Sequence, residues 1–156
     1  MSLERAKEHL AKFNKADDIM EFSESNATVE LAARAVGCEP ARIAKTLSFA
    51  VGDRVALVVC AGDARIANPK FKAEFHTKPQ MLKADEAEAR IGHAVGGVCP
   101  FGVSSECDVY LDVSLKRFDT IFPACGSSNS AIELTPDELE AVVPNSSWVD
   151  VCKLAE

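Results

Sequence analysis

No run of apolar residues in this 156-residue sequence approaches the roughly 18 to 20 that a helical membrane span requires. Its leading segment, SLERAKEHLAKF, is charged and amphipathic and lacks the apolar stretch of a secretory signal, so a cytoplasmic protein is expected. The three histidines (His9, His76 and His93) lack the close Cys or His spacing of a zinc site, so no metal is expected. Six cysteines fall at positions 38, 60, 99, 107, 125 and 152 without a CxxC pair, which argues against a disulfide framework. Cys60, in VALVVCAG, reads as a small core residue on a buried strand. Internal repeats, low-complexity tracts and linkers are also missing, so residues 1–156 are expected to form one domain. Positive charge is scarce as well: 17 Lys and Arg stand against 24 Asp and Glu, a net charge of −7. Phosphate contacts dominate affinity for RNA, so a chain of this charge is expected to grip a nucleic acid weakly and over a limited area.

The charge is unevenly spread. Residues 41–83 carry eight Lys and Arg against three Asp and Glu, whereas the segments on either side are acidic. The basic third holds Lys45, Arg65, Lys70, Lys72, Lys78 and Lys83, enough for a local phosphate-facing patch. With 47% hydrophobic and 26% charged residues, the chain can bury an ordinary globular core.

Apolar residues at helical spacing predict a first helix over 3–14, and Thr28 caps a second that Gly37 ends. DIMEF, at 18–22, reads as a short strand, and 39–44 as a helical turn. KTLSFAV and RVALVVCAG flank Gly52-Asp53 and read as an antiparallel hairpin, its second strand buried on both faces. NPKFKAEF is a third helix, MLKA a brief strand, and Asp85 to Ile91 a fourth helix ended by Gly92. VYLDVSL, TIFPAC, SAIEL and WVDVC read as strands, and Thr135-Pro136-Asp137-Glu138 as a capping box opening a last helix. The fold class expected is α+β: a twisted, mixed and partly barrel-like sheet flanked by helices.

Three motifs do not look like packing patterns. RIAKTLSF places Lys45 at the start of an apolar strand, where a cation is costly to bury without a partner. GGVCPFG, from Gly96 to Gly102, joins two glycines to a proline in a backbone stripped of large side chains. FPACGSSNSAIEL, from Phe122 to Leu134, strings small residues between two apolar runs and exposes N–H groups as well as hydroxyls. One cation and two donor-rich loops suit a polarised carbonyl or a charged ligand.

The Lys45-Thr46 pair, the G-x-x-x-P loop from Gly96 to Pro100 and the closing Ile132-Glu133-Leu134 together resemble the YbaK/ProX family. These are free-standing relatives of the editing domain inserted in some prolyl-tRNA synthetases, and the resemblance covers about 28–143. It implies a YbaK-like fold and a trans-editing hydrolase that deacylates mischarged aminoacyl-tRNA, without a cofactor. Its partners would be the acceptor end of an aminoacyl-tRNA and a prolyl-tRNA synthetase, with no role for membrane or DNA. By resemblance, Lys45 is the essential lysine and Thr46 lies in the substrate pocket. Gly96, Gly97, Val98, Cys99 and Pro100 contact the aminoacyl group and terminal adenosine, while Cys125, Gly126, Ser127, Ser128 and Asn129 form the wall facing Lys45. Cysteine-specific members carry an aspartate where this chain has Ala131, which favours another small amino acid such as alanine on tRNA for proline. Two other readings compete. One is a tRNA- or nucleotide-binding module of the same fold without turnover. The other is a thiol hydrolase centred on Cys99 or Cys125, with His76 or His93 as the base.

Overall fold

A computed structural model describes residues 2–23, 28–93 and 98–154. Gly96 and Gly97 lie outside the described residues. In chain order the elements are helix α1 (Ser2–Ala11), strand β1 (Met20–Glu21), helix α2 (Val29–Val36), strands β2 (Ile43–Val51), β3 (Arg54–Ala61) and β4 (Ala64–Ile66), and helices α3 (Asn68–Phe75) and α4 (Ala84–Ile91). Strands β5 (Cys107–Asp112), β6 (Phe122–Pro123) and β7 (Ser130–Ala131), helix α5 (Pro136–Val142), and strands β8 (Ser147–Val149) and β9 (Cys152–Leu154) complete it. The expected α+β class is present: a curled mixed sheet in the order β6-β2-β3-β5-β8, with the two-stranded pieces β1-β7 and β4-β9 beside it.

The sheet is organised by β3, every residue of which from Val55 to Ala61 is buried. Such a strand, apolar on both faces, belongs in the centre of a layered domain. It pairs antiparallel with β2 through the Gly52-Asp53 turn and parallel with β5. Helix α1 adds Ala6 and Leu10 to the core, α4 adds Ala87 and Ile91, and α5 adds Leu139 and Val142. Phe71 of α3 stacks between Phe49 and Phe75, with ring centroids 4.8 Å and 4.5 Å away. Helix α2 stands apart. Its Ala33 joins Ile43 and Phe122 in a second, smaller cluster, against which Met20, Val29, Ala32 and Val36 are only half-buried.

Local chemistry explains several boundaries. Thr28 accepts the Leu31 N–H at 3.1 Å and caps α2, which ends at Gly37 with φ 78°. In the expected capping box, Thr135 accepts from Glu138 N and Glu138 accepts from Thr135 N, at 3.0 Å and 2.8 Å. Other boundaries differ from expectation. Helix α1 stops at Ala11, and Asn14 turns left-handed at φ 63°. Strand β2 starts two residues early because Ile43 and Ala44 pair with Phe122 and Pro123 of β6, so Lys45 lies inside the strand. Of MLKA, only Met81 bridges to Phe49. Strand β5 ends at Asp112, whose carboxylate accepts the Ser114 N–H at 2.9 Å and turns the chain into a 3₁₀ helix. The same buried carboxylate accepts the Val151 N–H at 2.9 Å, splitting WVDVC into β8 and β9.

Among the described glycines, Gly62 is approached most closely. A Cβ there would sit 2.0 Å from the Pro40 carbonyl oxygen and 2.8 Å from Val29 Cγ1. Its N–H meanwhile donates to Ala41 O at 3.2 Å, so the turn before β2 lies directly on the end of β3. Gly62→Ala should therefore destabilise the protein by about 1–3 kcal/mol, the usual cost of overpacking. Urea unfolding measures it, and unchanged stability would mean that this turn can move away without cost.

Candidate active site

The cavity that brings the motifs together has a volume of about 440 Å³. One wall is the inner face of α2 (Val29, Ala32 and Val36), and the floor is the start of β2, including Lys45, Thr46 and Ser48. Met81, Leu82 and Ala84 form a rim, and Phe122, Ala124, Ser127, Ser128, Ser130 and Ala131 the far wall. Among the described residues Lys45 supplies the sole charged side chain of this lining, and the apolar residues outnumber the polar ones.

Lys45 is half-buried, and its Nζ lies 3.5 Å from Gly62 O, the outer limit of a hydrogen bond. That contact holds the ammonium near the turn after β3 and leaves donor capacity for a ligand. The next residue, Asp63, is clasped by both terminal nitrogens of Arg117 at 3.1 Å and 2.5 Å. This bidentate contact holds the Asp63 carboxyl below its ordinary range, and the nearby Lys45 charge lowers it further.

The second loop is fixed on β1. Asn129 Nδ2 donates to Phe22 O at 2.9 Å, and Phe22 N donates back to Asn129 O at 2.8 Å. Ser127 Oγ lies 2.7 Å from Ser130 Oγ and 2.9 Å from Asn129 Oδ1. Ser127 and Ser128 thus reach the lining, whereas Asn129 serves as the tie. Ala131, paired with Met20, presents a methyl to the cavity.

A family model for the aminoacyl-tRNA editing domain matches residues 23–142. The chain belongs to that family.

Among relatives of this editing domain, the Bacillus subtilis (strain 168) protein YwhH, itself uncharacterized, is 53% identical over 98% of both chains. EbsC of Enterococcus faecalis (strain ATCC 700802 / V583), described as a candidate Cys-tRNA(Pro)/Cys-tRNA(Cys) deacylase, is 31% identical and covers 76% of this chain and 73% of its own. A crystal structure of a candidate trans-editing enzyme for prolyl-tRNA synthetase superposes with a TM-score of 0.88 at 26% identity, covering 97% of each chain.

Of the residues anticipated from sequence, the structure brings Lys45, Thr46, Val98, Ser127 and Ser128 to the cavity of this editing domain. Cys99, Pro100, Cys125 and Gly126 are buried behind it. Spacing gave no link between a histidine and a cysteine, yet His93 Nε2 lies 3.6 Å from Cys99 Sγ. The surroundings of the pair do not favour a nucleophile and its base. Both side chains are completely buried, and desolvation pushes the Cys99 thiol up to about 12, so the thiolate is scarcely formed near neutral pH. Burial raises the Cys125 thiol as well. Among the described residues no group of three or more His, Cys, Asp or Glu is placed to hold a metal ion. Sequence reading missed the α2 wall and the Met81–Ala84 rim. The α2 stripe was visible, but periodicity cannot tell a core-facing stripe from a cavity-facing one.

His93 is an internal pH probe. Its Nε2 lies 2.6 Å from Phe101 O, and the buried Nδ1 has no hydrogen-bond partner among the described residues. Burial lowers its pKa from the ordinary 6.5. Below that value the unfolded chain takes up a proton that the folded chain refuses, so stability falls on acidification. The loss should be at most about 1.4 kcal/mol per pH unit from this group. Denaturation midpoints measured from pH 7.5 to 5 should show a shallower decline for His93→Gln. Identical slopes would mean that the imidazole titrates freely in the fold.

Proposed function

We propose that this chain is a trans-acting aminoacyl-tRNA deacylase that hydrolyses the ester between a small, uncharged amino acid and tRNA for proline. Alanine is the first candidate and cysteine the second. The observation that carries the reading is the single ammonium, Lys45, set in a small and largely apolar cavity opposite a serine-bearing loop, in a chain of the editing-domain family. EbsC and the prolyl trans-editing neighbour support the direction of the assignment. Ala131 supports alanine over cysteine, because this lining position carries a methyl in place of a carboxylate. A basic amino-acid side chain would meet no counter-charge among the described lining residues, and the volume suits a compact group.

In this mechanism the aminoacyl end of the RNA enters the cavity with its ester carbonyl toward Lys45. Water adds to the carbonyl carbon, and the Lys45 ammonium, with loop N–H donors, stabilises the oxyanion. The ester C–O bond then breaks, the ribose oxygen takes up a proton, and the free amino acid leaves. A neighbouring ribose hydroxyl can relay the proton, so no side-chain nucleophile is required. Such an enzyme answers a physical limit of synthetases: one methylene changes binding by only about 1–3 kcal/mol, so a second sieve is useful.

The test is hydrolysis of a panel of tRNAs charged with alanine, cysteine, proline and bulkier amino acids. Alanyl-tRNA for proline should be hydrolysed and the prolyl form spared. Lys45→Ala should lower kcat by roughly 10²–10³ while the protein stays folded, the usual effect of losing one oxyanion stabiliser. Wild-type turnover in that variant would remove lysine from the mechanism. The double variant Cys99→Ser/Cys125→Ser should keep most of its turnover. Complete loss in a folded double variant would make the thiols the nucleophiles. Binding of the panel without hydrolysis would favour the non-catalytic module.

A further inference from the structure

The cations of this acidic chain are not equivalent. Lys7, Lys15, Arg42, Arg54, Lys70, Arg90 and Arg117 each lie within ion-pair distance of a carboxylate. Lys70, the lysine nearest the middle of the basic third, is bound to Asp150 at 3.0 Å and to Cys152 O at 3.1 Å, so it is committed to holding β9. Lys78 and Lys83 are exposed and pair with no carboxylate among the described residues. The acidic residues that follow them are turned onto backbone. Asp85 accepts the Glu86 N–H at 3.0 Å, and Glu86 faces the Lys83 N–H at 3.4 Å.

The segment between these lysines is rigidly placed. Ala50 N donates to Gln80 O at 2.9 Å and Leu82 N to Ser48 O at 3.1 Å, so the segment runs antiparallel along β2, the strand of Lys45. Met81 sits opposite Phe49, four residues from Lys45, or about 13 Å along the strand. Met81 is 58% exposed, and it lines the cavity together with Leu82 and Ala84, on either side of Lys83. The rim therefore offers two unpaired cations and an exposed thioether beside the mouth of a site whose floor carries a third cation.

We infer that residues 78–83 form the landing strip for the single-stranded 3′ end of the RNA. Lys78 and Lys83 hold backbone phosphates, and Met81 packs against a base. The occupant follows from charge: unpaired cations interleaved with an apolar side chain fit a strand that alternates phosphates with bases. The separation from Lys45 is one that an extended strand covers in a few nucleotides. The identity of that RNA rests on the deacylase reading; the surface itself does not.

The test uses an uncharged RNA minihelix ending in single-stranded ACCA, titrated against the whole chain at several salt concentrations. Lys78→Ala/Lys83→Ala should raise Kd about tenfold at low salt and flatten the plot of log affinity against log salt by about 1.4, two single-strand phosphate contacts. Met81→Ala should raise Kd a few-fold with the salt slope unchanged, because a thioether–base contact is not ionic. Lys12→Glu, an exposed cation on another element, should change neither. With charged tRNA the double lysine variant should raise KM at constant kcat. Unchanged affinity and slope in the double variant, an equal effect of Lys12→Glu, or equal binding of a blunt-ended minihelix each overturns the inference. So does a change confined to self-association, which would make the rim a contact between copies. Minihelix binding with the expected slope but no ester hydrolysis would leave the rim standing and sink the deacylase assignment instead.

Discussion

Gly62 is the junction on which the site depends. It is used through its backbone alone: the N–H binds Ala41 O, the carbonyl faces Lys45 Nζ, and the bare Cα lets Pro40 O and Val29 Cγ1 approach. Four elements meet at this point, namely α2, the turn before β2, β2 itself and the end of β3. Any side chain would push the turn and α2 off the sheet, because a carbonyl cannot share that space with a Cβ. The same displacement would widen the cavity and take away the acceptor that steadies Lys45. Asp63, locked by Arg117, fixes the turn from its other side. The catalytic candidate thus touches a backbone oxygen from outside its own strand and has no carboxylate within ion-pair distance among the described residues, which leaves donor capacity for a ligand.

That economy of charge runs through the molecule. Exposed ion pairs contribute little to stability, roughly 0–1 kcal/mol each. Their larger effect here is on the field. Pairing ties up seven cations, among them Lys70 of the basic third, whereas Lys45 and the rim lysines beside the cavity pair with no carboxylate among the described residues. A broad RNA-binding face is disfavoured by this balance. A narrow one is not, and repulsion elsewhere on the surface directs the nucleic acid to it. An enzyme that must release its product RNA benefits from a grip limited to the end it reads.

How much of this was legible in the sequence depended on the range of the interaction. Local backbone chemistry was readable: the Thr28 cap, the Gly37 stop, the Thr135–Glu138 box and the Gly52-Asp53 hairpin all depend on neighbours a few residues apart. Lys45 was also readable, because a cation in an apolar strand demands a reason. Pairings set at long range were not. The early start of β2 is imposed by β6, nearly eighty residues away, and the split between β8 and β9 by Asp112. The His93–Cys99 contact follows from the turn between them and not from any spacing rule. Helix α2 shows the limit most clearly. Its apolar stripe is the same whether it meets a core or an empty volume, and only the surrounding elements decide.

The cavity's chemistry narrows what can be recognised there. Its described walls are methyl groups, hydroxyls and two aromatic rings, Phe22 and Phe122, with one ammonium on the floor. The Phe122 ring is itself held, since the Arg42 guanidinium lies 5.2 Å over its centroid and is anchored on Thr120 O and Glu133. Glu133 of the I-E-L motif therefore acts on the wall through Arg42 and never reaches the cavity. The described lining carries no carboxylate, so its walls can sort side chains chiefly by size, shape and contact with the hydroxyls. Sorting by size needs rigid walls, because a wall that yields admits the larger competitor. The bracing of Phe122 by Arg42, of the serine loop by Asn129 on Phe22, and of α2 by the bare face of Gly62 supplies that rigidity on three sides. Two of these braces use backbone groups directly, and the third reaches the wall through Arg42. The motifs therefore consist mainly of small residues, whose contribution is the position of the chain and not the reach of a side chain.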